Sequence, residues 1–342
     1  MKNKFLMRLS SVAAGAVVAL GIAGAASAQK VEHRCATLAP EGSAWMKILG
    51  RGAQELAEAT GGRVNIKYYA GGVQGDEPDV VNKMLLGQLE CGAFTSIGLS
   101  LIDPSIRVLE LPAMFRTVEE MDYVRKKMWP TFKARFAKKG YHLGEPGDVG
   151  FLYFYSNNPI KAMSDLGKAK VWLWGQDKIV KSMFKKVGVN GVPMGPPDVL
   201  PALTTGKISA AYGSPLAMVV MQWYTKVKFR TSMPMAYGIG ASVFKLDAWN
   251  KISAEDKATA EKVLKIQAQK LRKAVRKDND RAMKTIAHAG VQTIESPAAM
   301  VADFEAKSSA TWNELAGSVY SKADLDKVLK YRDEFRAKTA AK

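Results

Sequence analysis

The sequence predicts an α/β protein of two lobes with one long helix after both. From residue 31 onward, apolar segments of period two alternate with segments of helical period. This alternation runs twice, with the aromatic run Phe151 to Tyr155 between the two rounds. A helical stretch of unusual length, Ser253 to about Ala287, follows both rounds. A closed barrel would need eight evenly spaced strand-helix units, and the break at Phe151 to Tyr155 argues against one.

In the first round, Val31 to Leu38 reads as a strand that ends before Pro40. Trp45, Ile48, Leu49, Leu56 and Ala57 recur at helical spacing, and Gly61-Gly62 stops that helix. Val64, Ile66 and Tyr68 alternate as a second strand, and a helix from about Glu77 to Gln88 leads into an apolar strand over Cys91 to Thr95. Thr117 with Glu120 makes a capping box for a helix that Pro130 must kink or break and Gly140 ends.

In the second round, Phe151 to Tyr155 and Val171 to Trp174 read as strands. Ile179, Val180, Met183, Phe184 and Val187 form a helical face closed by Gly188, and a short strand covers Val192 to Met194. A Pro-rich turn, a helix around Val199 to Thr204, a strand from Ile208 to Tyr212 and a helix from Pro215 to about Val227 follow. After the long helix, Ser296-Pro297 starts another helix as N-cap and first helical residue, and a last one runs through Leu325 to Phe335. Alternation of this kind predicts parallel sheets with helices on both faces.

The chain has 342 residues, 47% hydrophobic and 24% charged. That composition excludes disorder and a multi-span membrane protein, and the length predicts about two domains. Lys2, Lys4 and Arg8 precede an apolar run from Val12 to Ala26, and Ala26-Ser27-Ala28 supplies small residues at a cleavage site. This predicts a signal peptide over residues 1–28, cut after Ala28, and an exported, soluble mature chain. The run is shorter than the roughly 20 residues of a membrane span.

The formal charge is +18, or +15 once Lys2, Lys4 and Arg8 leave with residues 1–28. Eleven Lys and Arg against five Asp and Glu fall between Lys251 and Gly290, a density that a solvated helix face accounts for. Attraction to anionic headgroups is open for such a chain. No groove-reading motif or aromatic interleaving suggests nucleic acid. Two cysteines in an oxidising compartment predict one disulfide, Cys35 to Cys91, if their strands are neighbours, and two buried thiols otherwise. The three histidines are scattered, with no CxxC or HExxH, so neither a metal nor another cofactor is expected.

Catalytic motifs are missing too. Gly206-Lys207 lacks the rest of a phosphate loop, and Ser96 lacks the preceding glycine and the histidine of a hydrolase nucleophile. Asp177 and Asp198 are isolated acids in loops, where solvation or capping explains them. A non-enzyme is expected.

The segments then line up with a family. Ala59-Thr60-Gly61-Gly62-Arg63-Val64, Gly71-Gly72, Leu86-Gly87-Gln88-Leu89 and Leu111-Pro112-Ala113-Met114-Phe115-Arg116 follow one another in order. Asn158-Pro159-Ile160-Lys161, Asp165-Leu166, Gly188-Val189-Asn190-Gly191-Val192-Pro193-Met194 and Ala202-Leu203-Thr204-Thr205-Gly206 continue the series. In this order they resemble the DctP-type solute-binding proteins of tripartite ATP-independent periplasmic (TRAP) transporters, from about Val31 to Ala287. The resemblance implies two α/β lobes with a ligand enclosed between them, closure about a hinge, and TRAP-type membrane permease subunits as partners. It implies a monomer located in the periplasm. Lobe I is expected over 29–150, completed by about 236–252, and lobe II over 151–235, completed by about 290–335, with the spanning helix over 253–289.

One departure bears on the ligand. Members of the family that carry organic acids place an Arg at the end of the strand after the Asp-Leu segment, where its planar fork grips a carboxylate. Here that position is Trp172. A second family Arg would fall at Phe151 or Leu152, and no Arg occurs between Arg135 and Arg230. Trp172 and Trp174 lie two apart on a strand and so share one side, as do Tyr153 and Tyr155. The family's Asp-Gly-x-Glu-Asn-Pro segment has become Ser209-Ala210-Ala211-Tyr212-Gly213-Ser214-Pro215.

The expected site comprises Trp172, Trp174, Leu152, Tyr153, Tyr155, Trp45, Ser96, Phe115, Met194, Asp198, Tyr212 and Ser214. The expected ligand is a neutral, aromatic or lipid-like molecule delivered to a TRAP-type transporter. Two alternatives stand beside it: an organic acid held by Lys170 or Lys178, and an exported ligand sensor without transport.

Overall fold

The computed structural model describes residues 30–175 and 177–340. The signal-peptide reading for residues 1–28 lies outside them. The first elements are β1 (Val31–Thr37), α1 (Ala44–Ala59), β2 (Val64–Tyr69), α2 (Glu77–Leu85), β3 (Cys91–Thr95), α3 (Ser96–Ile102) and α4 (Val118–Lys138). β4 (Tyr141–Ser156), α5 (Met163–Gly167), β5 (Trp172–Trp174), α6 (Lys178–Lys186), β6 (Val192–Met194) and α7 (Val199–Thr204) follow. Then come β7 (Ala210–Gly213), α8 (Pro215–Val220), β8 (Phe229–Thr231), β9 (Ala236–Lys245) and α9 (Leu246–Trp249). The chain closes with α10 (Ala254–His288), β10 (Gln292–Ile294), α11 (Ala298–Leu315) and α12 (Lys322–Ala340).

Local signals start and stop these elements. Ser43 caps α1 by accepting from the Met46 amide, and Gly61 and Gly62 end it with positive φ. Thr117 caps α4 as expected, yet the Glu120 carboxylate reaches one residue further back, to the Arg116 amide. Pro130 does not end α4, which runs on to Lys138. Proline forfeits one backbone bond, while Trp129 and Phe132 beside it are buried in the lobe I core and hold both halves in place.

The sheet differs from the all-parallel expectation. β1 pairs in parallel with β2 and β3, but β3 pairs antiparallel with β9, and β9 pairs antiparallel with β4. At its far end β4 takes β7 and β8 as antiparallel neighbours. One continuous sheet, in the order β10-β8-β4-β9-β3-β1-β2, therefore passes through both lobes, while β5 and β6 form a separate parallel pair. β4 and β9 are the crossing strands, and their ladder slips between Leu143 and Pro146 and again between Asp148 and Gly150.

The cores follow this division. One face of the lobe I sheet packs on α2, α3 and α4 through residues such as Phe94, Leu99, Val124 and Phe136. The other face carries a smaller core of Val31, Cys35, Leu56, Val64, Cys91, Phe244 and Ala260 beneath α1 and α10. Lobe II has its own core around Phe154, Leu166, Phe184, Leu203 and Tyr212. Cys35 and Cys91 sit opposite each other in neighbouring strands, and their sulfurs are bonded.

Helix α10 begins at its Ser253 cap and extends about 50 Å. Asp256 near its start pairs with Arg63 of lobe I at 2.7 Å. Arg276 further along holds Asp122 and Asp148, and Asn279 accepts from the Leu216 amide of α8 in lobe II. The last segment departs from the expectation that residues to about 335 complete lobe II. α12 packs on α4 of lobe I, where Asp324 pairs with Arg135 and Glu334 accepts from the Tyr123 hydroxyl. α11 bridges, with Phe304 in the lobe II core and Trp312 in the lobe I core.

Candidate functional site

A cavity of about 230 Å³ lies between the lobes, where the C-terminal ends of β1, β3, β5 and β7 converge. Open α/β sheets leave such a crevice beyond their strand ends. Thr37 to Pro40 and Thr95 to Ile97 leave lobe I strands toward it, while Trp174 and the Gly213-Ser214 turn do so from lobe II. The crossing strands contribute Gly144, Gly147, Asp148, Leu152, Gly238 and Gly240.

Lobe II supplies an aromatic wall. Trp172 stacks on Tyr212 with ring centroids 4.7 Å apart, lies 6.0 Å from Trp174, and meets Trp223 edge-on at 5.2 Å. The indole N–H of Trp172 donates to the Met194 carbonyl, and the Tyr212 hydroxyl accepts from the Trp174 amide. These bonds fix the ring planes from behind and leave apolar faces and edges toward the cavity.

Two contacts join the lobes across the cleft. The Trp174 indole N–H donates to Asp76 Oδ2 of lobe I at 2.9 Å. Arg107 of lobe I donates through one nitrogen to both oxygens of Asp177, at 2.9 and 3.0 Å, and both side chains are buried. Asp177 also caps α6 by accepting from the Ile179 and Val180 amides.

The lining is mainly apolar, and its charged members are acids. Glu77, Glu110, Glu145, Asp148 and Asp177 border the cavity, and among the described residues no Arg, Lys or His does. Cations stand behind most of these acids: Lys133 on Glu145, Arg125 and Arg276 on Asp148, and Arg107 on Asp177. Glu110 lies 4.0 Å from Arg107 and accepts from the Ile239 amide, and its burial raises its pKa. Among the described residues no cation pairs with Glu77. It accepts from the Thr95 amide, the Thr95 hydroxyl and the Gly98 amide, which pins the start of α3, while burial pushes its carboxyl up to about 7.

The family model described as DctP, bacterial extracellular solute-binding protein family 7, matches residues 35–318. The chain belongs to this family. A solute-binding protein of Chromohalobacter salexigens is 29% identical over 213 residues, which cover 61% of this chain and 63% of that protein. The chain thus matches somewhat under two thirds of that relative's length. Among solved structures, the sugar acid binding protein of Advenella mimigardefordensis in complex with galactonate superposes with a TM-score of 0.84 at 18% identity. That match covers 90% of this chain and 99% of that one. A TRAP periplasmic solute-binding protein of Xanthobacter autotrophicus with bound galacturonate gives 0.82 at 22% identity, over 88% of this chain and 99% of that one. The two-lobed DctP fold is shared with both.

Of the twelve expected ligand residues, this DctP protein brings six to the cavity: Trp45, Leu152, Trp172, Trp174, Tyr212 and Ser214. Six do not line it. Leu152 faces the cavity, so Tyr153 and Tyr155 fall on the opposite face of β4 by strand alternation. Tyr155 is buried in the lobe II core and Tyr153 lies under the Arg230 guanidinium, 4.7 Å from ring centre to carbon. Phe115 packs in the lobe I core, and Ser96 is buried with an unpartnered hydroxyl at the start of α3. Met194 contributes its carbonyl to Trp172 while its side chain packs on the lobe II core. Asp198 is exposed on a short 3₁₀ turn, and Lys170 and Lys178, the alternative anchors, are also exposed and away from the cavity.

Sequence reasoning did not place Trp223, Glu77 or Glu110 in the DctP site. Trp223 lies on a 3₁₀ turn in what reads as a continuing helix, and the buried acids find their partners through the fold alone.

Proposed function

We propose that this chain is the periplasmic receptor of a TRAP-type transporter and that its ligand is a small apolar or aromatic molecule without an acid group. The observation that carries the proposal is the lining itself, an aromatic wall in a mainly apolar cavity with no basic side chain among the described lining residues. A carboxylate entering here would lose its hydration and find no unpaired guanidinium or ammonium among the described lining residues, a cost of several kcal/mol. An apolar ligand gains about 25 cal/mol for each Å² it removes from water and can lie against Trp172 and Trp174. The acids held by its structural relatives therefore do not carry over to this chain.

In this reading the signal peptide leaves after Ala28 and the mature receptor acts as a monomer. Its lobes close about the slipped ladder of β4 and β9, and the closed form is what membrane permease subunits meet. The Trp174 to Asp76 and Arg107 to Asp177 contacts support closure, since each needs both lobes in place.

A thermal-shift screen tests the ligand class. Indole or a similar uncharged apolar compound at 100 times its dissociation constant should stabilise the protein by about 2.7 kcal/mol. Galacturonate and pyroglutamate should give no shift, and Trp174→Ala should weaken the indole response. Strong stabilisation by an acid, undiminished in Trp174→Ala, would remove the proposal and favour a charged anchor.

A further inference from the structure

The cavity does not stop at the interlobe cleft. It continues over the lobe I sheet beneath α1 and α10, where Tyr68 and Phe244 line it. α1 turns Trp45, Ile48, Leu49 and Gly52 toward it, and α10 turns Leu264, Gln267, Ala268 and Leu271. Each set has the spacing i, i+3, i+4, i+7, one continuous helix face. Most of these residues are only half-buried, although two helices and a sheet enclose them.

The floor explains the gap. Lower on this sheet face, Val31, Cys35, Val64, Cys91 and Phe244 fill the space under the helices. Higher on the same face, alternation presents Thr37, Ala93, Thr95, Gly240 and Ser242. Small side chains opposite a stripe of large apolar ones leave a void. From Gly240 to Phe244 the branch spans about 13 Å along the strand, and from Leu264 to Leu271 about 10 Å along the helix.

From this geometry we infer that the ligand is elongated: its head lies against the Trp172 and Trp174 wall, and an unbranched apolar tail lies in the branch under α1 and α10. This rests on the apolar reading of the site. Size sets the length. An apolar cavity of about 150 Å³ takes one benzene, so about 230 Å³ holds on the order of nine carbon atoms.

The test is a titration of the mature protein, followed by tryptophan fluorescence, with straight-chain alcohols from butanol to dodecanol and with indole as a short, flat probe. Affinity for the alcohols should rise roughly fourfold per methylene and level off near nine carbons. Ala268→Trp fills the branch from the helix side. It should flatten the rise beyond about four carbons while indole affinity stays within about twofold. Ser242→Leu fills the same space from the floor and replaces the helix variant if that one lacks a cooperative melting curve. A chain-length rise that both variants leave intact, or loss of indole in step with the alcohols, would overturn the inference and spare the apolar reading. Binding of galacturonate with neither alcohols nor indole bound would overturn both.

Discussion

One face of the lobe I sheet contains two regions that share the same strands and the same covering helices. Under the first half of α10 it is packed: Phe244 meets His33 edge-on and Trp249 at a tilt, and Leu56, Val64 and Ala260 close around them. Two residues further along each strand it is hollow, floored by Ala93, Thr95, Gly240 and Ser242. Backbone geometry is continuous between them, so side-chain size alone separates a core from a hollow. A sheet that needs a pocket can obtain one by shrinking residues of a single face, with no change of topology.

Removing the packed half should have the largest effect. Phe244→Ala joins the core to the hollow and should cost about 3–5 kcal/mol in urea unfolding. A loss below about 1 kcal/mol would mean the two regions are not distinct in packing.

Acid acts on the packed half next. His33 is fully buried with both ring nitrogens unpartnered, and burial lowers its pKa to about 4 from an ordinary 6.5. The folded chain thus keeps the ring neutral while the unfolded chain protonates first. Stability from this group is complete above about pH 6.5 and drains away as pH falls toward 4, a loss on the order of 3 kcal/mol. Glu77, raised to about 7, works in the opposite direction, since its stability share is fullest below about 4.5 and is lost as pH rises through 7. His33→Phe should therefore flatten the acid limb of a stability-pH curve. A limb parallel to the parent's would assign the acid loss to other groups.

Filling the hollow should change stability least. Ala93→Val points one extra branch into empty space and should shift stability by no more than about 1 kcal/mol, in the stabilising direction. Ligand affinity should fall at the same time. Stability lost with binding kept would mean that Ala93 packs as core.

Much of this fold was legible from local signals. β3, β6 and α7 have the bounds that periodicity and breakers predict, and Ser253 caps α10 where its hydroxyl suggests. The crossing strands were not legible over most of their length. Gly144, Pro146, Gly147 and Gly150 in β4, with Gly238 and Gly240 in β9, read as breakers. Several of the glycines are there because neighbours come close: a Cβ on Gly240 would sit 2.5 Å from the Phe94 carbonyl oxygen. At the site, the two tryptophans were found because they share a strand side. Arg107 and Asp177, 70 residues apart, carry no signal that links them before the chain folds.

The Cys35–Cys91 bridge closes a loop whose ends lie 56 positions apart, and that loop contains all of α1, β2 and α2. In the unfolded chain such a ring forgoes conformations worth about 4 kcal/mol. Its mechanical meaning is different. The ring carries Trp45, Ile48, Leu49, Tyr68 and Glu77, so one wall of the cavity is a single covalent body, anchored at the sheet by its own crosslink. The opposite wall, Trp172, Trp174, Tyr212 and Trp223, has no such tether and meets the ring through the hydrogen bond to Asp76. The bridge thus makes the lobe I wall one crosslinked body, while the aromatic wall of lobe II is held in place by packing and hydrogen bonds alone.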